Sequence, residues 1–170
     1  MRDFDGNEFP LAYLITFRCY GTWLHGDERG IVPAQSRSHV RRVVDPSKTS
    51  PEEGRNSTTQ AQPVTLNQKQ RAIVEEAIRE VCFHRKYRLR AISVRTNHAH
   101  TVVSALREPE PILDSFKSYS TRALRRAGLM PPFIKQWARH GSTIYLGKEW
   151  DVEKALEYGL LGQGDPPAFD

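Results

Sequence analysis

Two short strand-like segments in the middle of the chain, separated by a tight connection, restrict the possible folds more than any other feature. They are residues 87–96, YRLRAISVRT, and residues 98–105, HAHTVVSA, both rich in residues that favour strands. The Thr-Asn pair before the second segment suits a hairpin, because Asn tolerates the left-handed backbone that such turns often need. A long helical pattern precedes the hairpin and another follows it, which indicates a split β-α-β arrangement.

The remaining segments extend this arrangement to the order β-α-β-β-α-β-α. The first helix carries an apolar stripe that includes Ile73, Ala77 and Val81, and we assign its capping box to Thr65 and Gln68. The order predicts an α+β fold of the ferredoxin-like type, with an antiparallel sheet, helices on one face and one additional helix. The segments outside the hairpin are predicted as strand 11–21, helix 65–84, helix 109–129, strand 142–147 and helix 149–164.

Length and composition indicate one domain covering residues 1–170, with a long polar loop or insertion at residues 22–64. The 170 residues include 25 Lys and Arg against 20 Asp and Glu, a formal net charge of +5, which favours an anionic partner and nucleic acid first. The two cysteines are far apart, so a disulfide scaffold is not expected. No apolar run reaches the roughly 18 residues of a membrane helix. We therefore expect a cytoplasmic protein without a membrane partner.

His98 and His100 stand at the start of the strand at residues 98–105, with one small residue, Ala99, between them. Side chains alternate along a strand, so both imidazoles are expected on one face, with their Cβ atoms roughly 6.5–7 Å apart. Two imidazoles at this spacing can bind one divalent metal ion. A His-x-His pair also arises by chance, and the structural alternative is two buried histidines with ordinary hydrogen-bond partners.

The segment Asn97-His98-Ala99-His100 resembles the HUH motif of the single-tyrosine HUH transposases, in which two histidines flank one apolar residue. This family comprises the transposases of the smallest insertion sequences and the REP-associated tyrosine transposases. The first strand, YLITFRCYGTWL, is also similar to that family's opening strand. The resemblance covers most of the chain except residues 33–64, and it implies a ferredoxin-like sheet of the HUH-nuclease type. It also implies a metal-dependent endonuclease and strand transferase that acts on single-stranded or hairpin DNA.

The family chemistry requires a nucleophilic tyrosine on a helix after the histidines, and helical geometry separates the candidates. Tyr119 shares a stripe with Phe116, which favours core packing. Tyr145 lies in a predicted strand, where aromatic residues pack. Tyr158 lies away from the apolar stripe of its helix, on the side of Lys154. We therefore predict Tyr158 as the nucleophile, with Tyr119 as the alternative.

The resemblance implies that His98 and His100 bind Mg²⁺ or Mn²⁺ and that Gln163 completes the metal shell. Gln163 follows Tyr158 by five residues, whereas a spacing of four is the commonest in the family. Attack of the Tyr158 oxygen on phosphorus would leave a 5′-phosphotyrosine and a free 3′-OH. The reference pKa of tyrosine is about 10, so a nearby cation has to assist, and Lys154, one turn before Tyr158, is the predicted one.

We predict that several basic residues contact the DNA backbone and that one aromatic residue stacks on a base. We also expect the protein to associate with the nucleoid. Two other functions stay open: a domesticated protein that binds hairpin DNA without cleaving it, and an unrelated metal-dependent phosphohydrolase that forms no covalent adduct with DNA. Members of the family can exchange helices between subunits, so a homodimer with an active site shared between its chains is also open. The predicted DNA-binding residues are Arg41, Arg42, Tyr87, Lys117, Arg122, Arg125 and Arg126.

Overall fold

The computed structural model describes residues 9–22 and 63–161, and its elements follow the predicted order. Residues 23–62, which make up nearly all of the predicted loop or insertion, lie outside the described residues. Among the described helices, none combines the length and the apolar character needed to cross a membrane. The elements are β1 (Ala12–Cys19), α1 (Gln68–Arg85), β2 (Arg88–Val94), β3 (His98–Ser104), α2 (Pro109–Arg126), β4 (Trp137–Leu146) and α3 (Glu149–Leu161).

The four strands form one antiparallel sheet in the order β2-β3-β1-β4. β2 and β3 are the predicted hairpin, whereas β1 and β4 join the sheet through the helices, which confirms the α+β, ferredoxin-like fold. The central strands are β1 and β3, and most of their side chains are buried. A central strand has its backbone groups paired on both sides, so residues at the start of β3 are held on a rigid element.

Alternation along β1 divides the apolar core into two layers, one on each face of the sheet. Tyr13 and Phe17 point to the face covered by α1 and α2, whereas Leu14 points to the face covered by α3. The structure therefore corrects the prediction that all helices lie on one face, because α3 lies on the other. The central strands are apolar on both faces, so burial of the second face requires a further element, and Val152 and Ala155 of α3 cover it.

The start of α1 differs from the predicted one because a different residue caps the helix. The side-chain oxygen of Asn67 accepts a hydrogen bond from the Gln70 amide at 2.9 Å, and the Gln70 side chain accepts one from the Asn67 amide at 2.8 Å. The capping box is thus Asn67 with Gln70, not Thr65 with Gln68. Both pairs fit the capping pattern locally, and the observed one lets the helix begin at Gln68.

β4 begins at Trp137, earlier than the predicted residue 142, because tertiary contacts extend the strand. The indole ring of Trp137 packs edge to face with Phe17, with centroids 4.8 Å apart, and its Nε1 donates to the Lys117 carbonyl at 3.2 Å. The ammonium group of Lys117 then ties this end of β4 to α2 by donating to three backbone carbonyls. These carbonyls belong to Ala138, Arg139 and His140.

Candidate active site

Two imidazole rings lie side by side where β3 begins, and we call them the histidine pair. The ring centroids of His98 and His100 are 4.6 Å apart, with the planes inclined by 73°. His98 is half-buried and His100 is 7% exposed. In the β1–β3 register, His100 is paired with Thr16, on the same face as Leu14. Both imidazoles therefore face α3, and the expectation that they share one face of the sheet is met.

Each ring of the histidine pair is held through its Nδ1 atom. Nδ1 of His98 lies 2.6 Å from the side-chain oxygen of Asn97, and Nδ1 of His100 lies 2.7 Å from the hydroxyl oxygen of Thr16. An amide oxygen only accepts, so Nδ1 of His98 carries the proton and its Nε2 keeps a lone pair. The Thr16 hydroxyl oxygen can likewise accept a hydrogen bond from the Nδ1–H of His100. Histidines that bind metals are commonly oriented by such a hydrogen bond at the other ring nitrogen.

Burial lowers the pKa of both histidines, and nearby positive charge lowers it further. For His100, burial is the largest cause, followed by the charges of His98, Arg18 and Arg95, and together they lower the pKa to about 4. The pKa of His98 is lowered by burial first and then by Arg18 and Arg95. Both imidazoles are therefore neutral at neutral pH, which is the protonation state that a metal ligand needs.

The lowered pKa of His100 predicts that the metal-free protein loses stability in acid. Below pH 6.5 the unfolded chain binds a proton that folded His100 does not bind until about pH 4. The stability that depends on neutral His100 is therefore fully present above about pH 6.5 and is lost as the pH falls toward 4. Between neutral pH and pH 4.5 we expect His100 to lower the free energy of unfolding by about 2 kcal/mol.

Urea unfolding in the presence of EDTA, repeated across this pH range, measures the effect. Substitution His100→Gln removes the titrating group, so the variant should show a flatter dependence on pH than the wild type. Parallel curves for the two proteins would contradict the assignment of this acid sensitivity to His100.

α3 brings Tyr158 to the histidine pair. The centroid of the Tyr158 ring lies 5.1 Å from that of His100, and the two rings are inclined by 68°. Tyr158 is half-buried against the core on this face, which corrects the expectation that it stands away from the buried side of its helix. Asp151 and Ala155 lie on the same side of α3 as Tyr158, by helical spacing. That side is buried, although the charge of Asp151 suggested an exposed one, because Asp151 is only 2% exposed.

Tyr119 and Tyr145, the other tyrosines after the histidines, lie across the sheet. Tyr119 packs against the core formed with α1 and α2, and the guanidinium carbon of Arg122 lies 4.4 Å from its ring centroid. Tyr145 packs edge to face against Tyr13, and its hydroxyl donates to a carboxylate oxygen of Glu108 at 2.8 Å. Burial, followed by this hydrogen bond, raises the pKa of Tyr145. The sheet thus separates both hydroxyl groups from the histidine pair of the same chain.

Lys154, predicted to assist the nucleophile, is directed toward a neighbouring aromatic ring. Its ammonium nitrogen lies 3.3 Å from the ring centroid of Trp150, and a role at the Tyr158 hydroxyl stays a prediction. Gln163, the predicted third metal ligand, lies outside the described residues. Within residues 9–22 and 63–161, no three or more His, Cys, Asp or Glu side chains form a group that could hold a metal ion. A metal ion at the histidine pair therefore needs a further ligand of another type or from the rest of the chain.

Those predicted DNA-binding residues that the structure describes are not gathered around the histidine pair. Burial lowers the pKa of Lys117, whose ammonium group donates to the carbonyls of β4. Tyr87 packs half-buried against the core formed with α1 and α2, and its role as a stacking surface for a base stays a prediction. Arg122, Arg125 and Arg126 are exposed on α2, across the sheet from the pair. Arg41 and Arg42 lie outside the described residues.

Three residues belong to this site although the sequence motifs did not mark them. Thr16 is hydrogen-bonded to His100, Arg18 lies opposite His98 in the β1–β3 register, and Arg95 directly follows β2. The positive charges of Arg18 and Arg95 favour a phosphate group on this face. One signal was present, since the α3 face of β1 changes from apolar to polar toward the end of the strand. Which strand would lie beside it was not visible in the sequence.

Comparison with solved structures identifies transposases of similar fold. A REP-associated tyrosine transposase, solved bound to a REP hairpin, is 13% identical to this chain, with a TM-score of 0.48. The match covers 89% of this chain and 65% of that protein. A candidate transposase from Deinococcus radiodurans R1 is 10% identical to this chain, with a TM-score of 0.50, and the match covers 90% of this chain and 92% of that protein. No protein-family model and no curated protein matches the chain. The resemblance to transposases is thus confirmed as a likeness of fold.

Proposed function

We propose that this protein is a transposase-like, metal-dependent endonuclease and strand transferase for single-stranded DNA, with Tyr158 as its nucleophile. The observation that carries the proposal is the position of the Tyr158 ring, 5.1 Å from the ring of His100. Cleavage of a phosphodiester by a tyrosine needs its oxygen beside a group that offsets phosphate charge, and a metal bound by histidines is one such group. The fold shared with a candidate transposase is consistent with this function.

The histidine pair fits a divalent metal ion, Mg²⁺ or Mn²⁺. Asn97 and Thr16 engage the Nδ1 atoms, and the lowered pKa values keep the rings neutral, so the Nε2 atoms are the ones left for a metal. His98 and His100 would hold the ion, and Gln163 would add an oxygen ligand. Mixed imidazole and oxygen ligands suit Mn²⁺, and Mg²⁺ is the alternative. A bound ion would offset the negative charge that develops on the scissile phosphate.

The proposed reaction conserves the energy of the phosphodiester bond. The Tyr158 oxygen loses its proton and forms a bond to phosphorus, while the bond from phosphorus to the 3′ oxygen breaks and that oxygen leaves as a 3′-OH after taking up a proton. The product is a 5′-phosphotyrosine. Attack by the 3′-OH of another strand reverses these changes, releases Tyr158 and joins the strands without ATP. Arg18 and Arg95, whose charges act on the histidine pair, would attract the phosphate groups.

The proposed substrate is single-stranded DNA adjoining a hairpin. The tyrosine oxygen has to approach phosphorus in line with the leaving oxygen, and an unpaired strand can adopt that geometry more readily than a regular duplex. We include a hairpin in the proposed substrate because residues 97–100 resemble the HUH motif of transposases that act on hairpin DNA. The hairpin sequence that this protein recognises has to be found by screening oligonucleotides.

The decisive experiment is incubation of the protein with labelled hairpin oligonucleotides that carry single-stranded flanks, in the presence of Mn²⁺, followed by a denaturing gel. We expect a labelled species with the mass of the protein plus a DNA fragment, formed only when metal is present. DNA binding without any adduct would favour the domesticated hairpin-binding protein. Metal-dependent cleavage without an adduct would favour a phosphohydrolase that uses water.

DNA affinity is expected to fall steeply with salt, because each phosphate neutralised by the protein releases counterions from DNA. If Arg18, Arg95 and two arginines of α2 each neutralise one phosphate, the logarithm of the association constant should fall by about 3 per decade of salt on single-stranded DNA. Fluorescence anisotropy over a salt series measures this slope. Substituting both Arg18 and Arg95 by Gln should reduce it by about 1.4. A flat salt dependence would remove nucleic acid as the partner.

A further inference from the structure

A pocket between α1 and α2 lies on the face of the sheet opposite to the histidine pair, and we call it the α1–α2 pocket. Its volume is about 290 Å³. The cleavage reaction proposed for Tyr158 makes no use of it, since the sheet lies between. The polar and aromatic residues that line it come from the last turns of α1 and from the second half of α2. They are Glu80, His84 and Arg85 of α1, and Tyr119, Arg122 and Arg126 of α2.

The α1–α2 pocket concentrates positive charge. Three guanidinium groups line it, and among the described residues Glu80 is the one carboxylate that does so. Arg122 stacks on the ring of Tyr119, with its guanidinium carbon 4.4 Å from the centroid. Stacking occupies the flat face of a guanidinium and leaves its N–H groups for an acceptor, and a phosphate oxygen is the acceptor that arginine binds in two places at once. The pocket therefore has the chemistry of a phosphate-binding site.

An exposed aromatic ring adjoins the α1–α2 pocket. Phe83 is 81% exposed, and its ring packs edge to face against His84 of the pocket, with centroids 5.6 Å apart. A single exposed apolar residue is common on protein surfaces and by itself indicates no function. Basic groups combined with an accessible aromatic face, however, are the pair of features with which proteins bind unpaired nucleotides. This combination favours a nucleic acid over a free inorganic anion.

We propose that the α1–α2 pocket is a second nucleic-acid site of this protein. Arg122 and Arg126 would bind phosphate groups of a single-stranded segment, and an unpaired base of that segment would stack on Phe83. Because the sheet separates this pocket from Tyr158, the bound segment is distinct from the phosphate that would be cleaved. The inference rests on the proposed function only in taking DNA as the ligand, and it holds equally for a protein that binds DNA without cleaving it.

The test compares the wild type with a double variant, Arg122→Gln with Arg126→Gln, in binding labelled oligothymidylate over a salt series. Loss of two phosphate contacts should lower the slope of log affinity against log salt by about 1.4. Phe83→Ala should weaken binding roughly fivefold or more, without changing that slope, because stacking on a base is not ionic. Pyrophosphate and thymidine monophosphate, added as competitors, show whether the pocket binds a free phosphate compound instead.

A matched control removes the same charge from α1 outside the pocket. Lys69→Gln with Arg79→Gln changes two exposed positions, of which Arg79 is paired with Glu75, and thermal melting verifies that all variants fold. If this control lowers the salt slope as much as the pocket variant, the inference is overturned. Binding of pyrophosphate at the pocket arginines without binding of oligothymidylate would also overturn it. A pocket-dependent slope in a wild-type protein that forms no adduct would support the inference and contradict the proposed cleavage.

Discussion

Replacement of Tyr158 by Phe is expected to abolish the covalent protein–DNA adduct while leaving folding and DNA binding almost unchanged. The phenyl ring keeps the contact with His100 and the packing against the core between the sheet and α3, so only the attacking oxygen is lost. We expect a change in the free energy of unfolding of about 0.5 kcal/mol or less. The adduct is measured on a denaturing gel with labelled hairpin DNA and Mn²⁺, and stability by urea unfolding.

Tyr145→Phe is the matched control for this experiment, since it removes one hydroxyl oxygen from a tyrosine across the sheet. The Tyr145 hydroxyl donates to Glu108, so its removal should cost about 1 kcal/mol of stability. Adduct formation should be retained. The two variants thus separate a chemical effect from a packing effect, because the one that keeps its stability loses the reaction and the other behaves in the opposite way.

Peptide mapping of the trapped adduct identifies the nucleophile independently. Trypsin places Tyr158 in the peptide that begins at residue 155 and Tyr119 in the peptide of residues 118–122. We expect the DNA label on the first. A label on the peptide that contains Tyr119 would contradict the assignment within one chain, because Tyr119 packs across the sheet from the histidine pair.

Replacement of either His98 or His100 by Ala is expected to lower metal-dependent adduct formation by at least about 100-fold. Loss of a residue that merely orients a metal ligand typically weakens metal binding by about 10- to 100-fold, so loss of a ligand itself should have at least the larger effect. His100→Ala also removes the hydrogen bond to Thr16, which should cost about 1 kcal/mol of stability and leave the protein folded. Adduct yield and Mn²⁺ affinity, the latter by calorimetry, are the two measurements.

His140→Ala is the control for the histidine variants, because His140 is an exposed histidine on β4, which β1 separates from β3. It should keep both the Mn²⁺ affinity and the adduct yield of the wild type. If His98→Ala or His100→Ala formed adduct at the wild-type rate, the histidine pair would not be the metal site. Partial recovery of either variant at high Mn²⁺ concentration would support weakened binding as the cause of the loss.

The sequence by itself determined the order of the elements and the orientation of the histidine pair, because both depend on short-range regularities. Strand-favouring residues and the turn at Asn97 marked the β2–β3 hairpin, and the apolar stripe through Val81 marked α1. His98 and His100 share a face of β3 simply because they are two residues apart. The helix cap is an exception, because the sequence analysis assigned it to Thr65 with Gln68 and the structure has Asn67 with Gln70.

Only the tertiary structure decided which residues surround the histidine pair. Periodicity shows which side of a helix is apolar, but it does not show which face of the sheet will bury that side. This depends on how all the elements pack in layers. Here α1 and α2 cover one face of the sheet, and α3 covers the other. That placement brings Tyr158 to His100. Likewise, Thr16 reaches His100 across 84 residues of sequence through the pairing of β1 with β3. Contacts of this kind depend on strand pairing and layer packing, which no local pattern encodes.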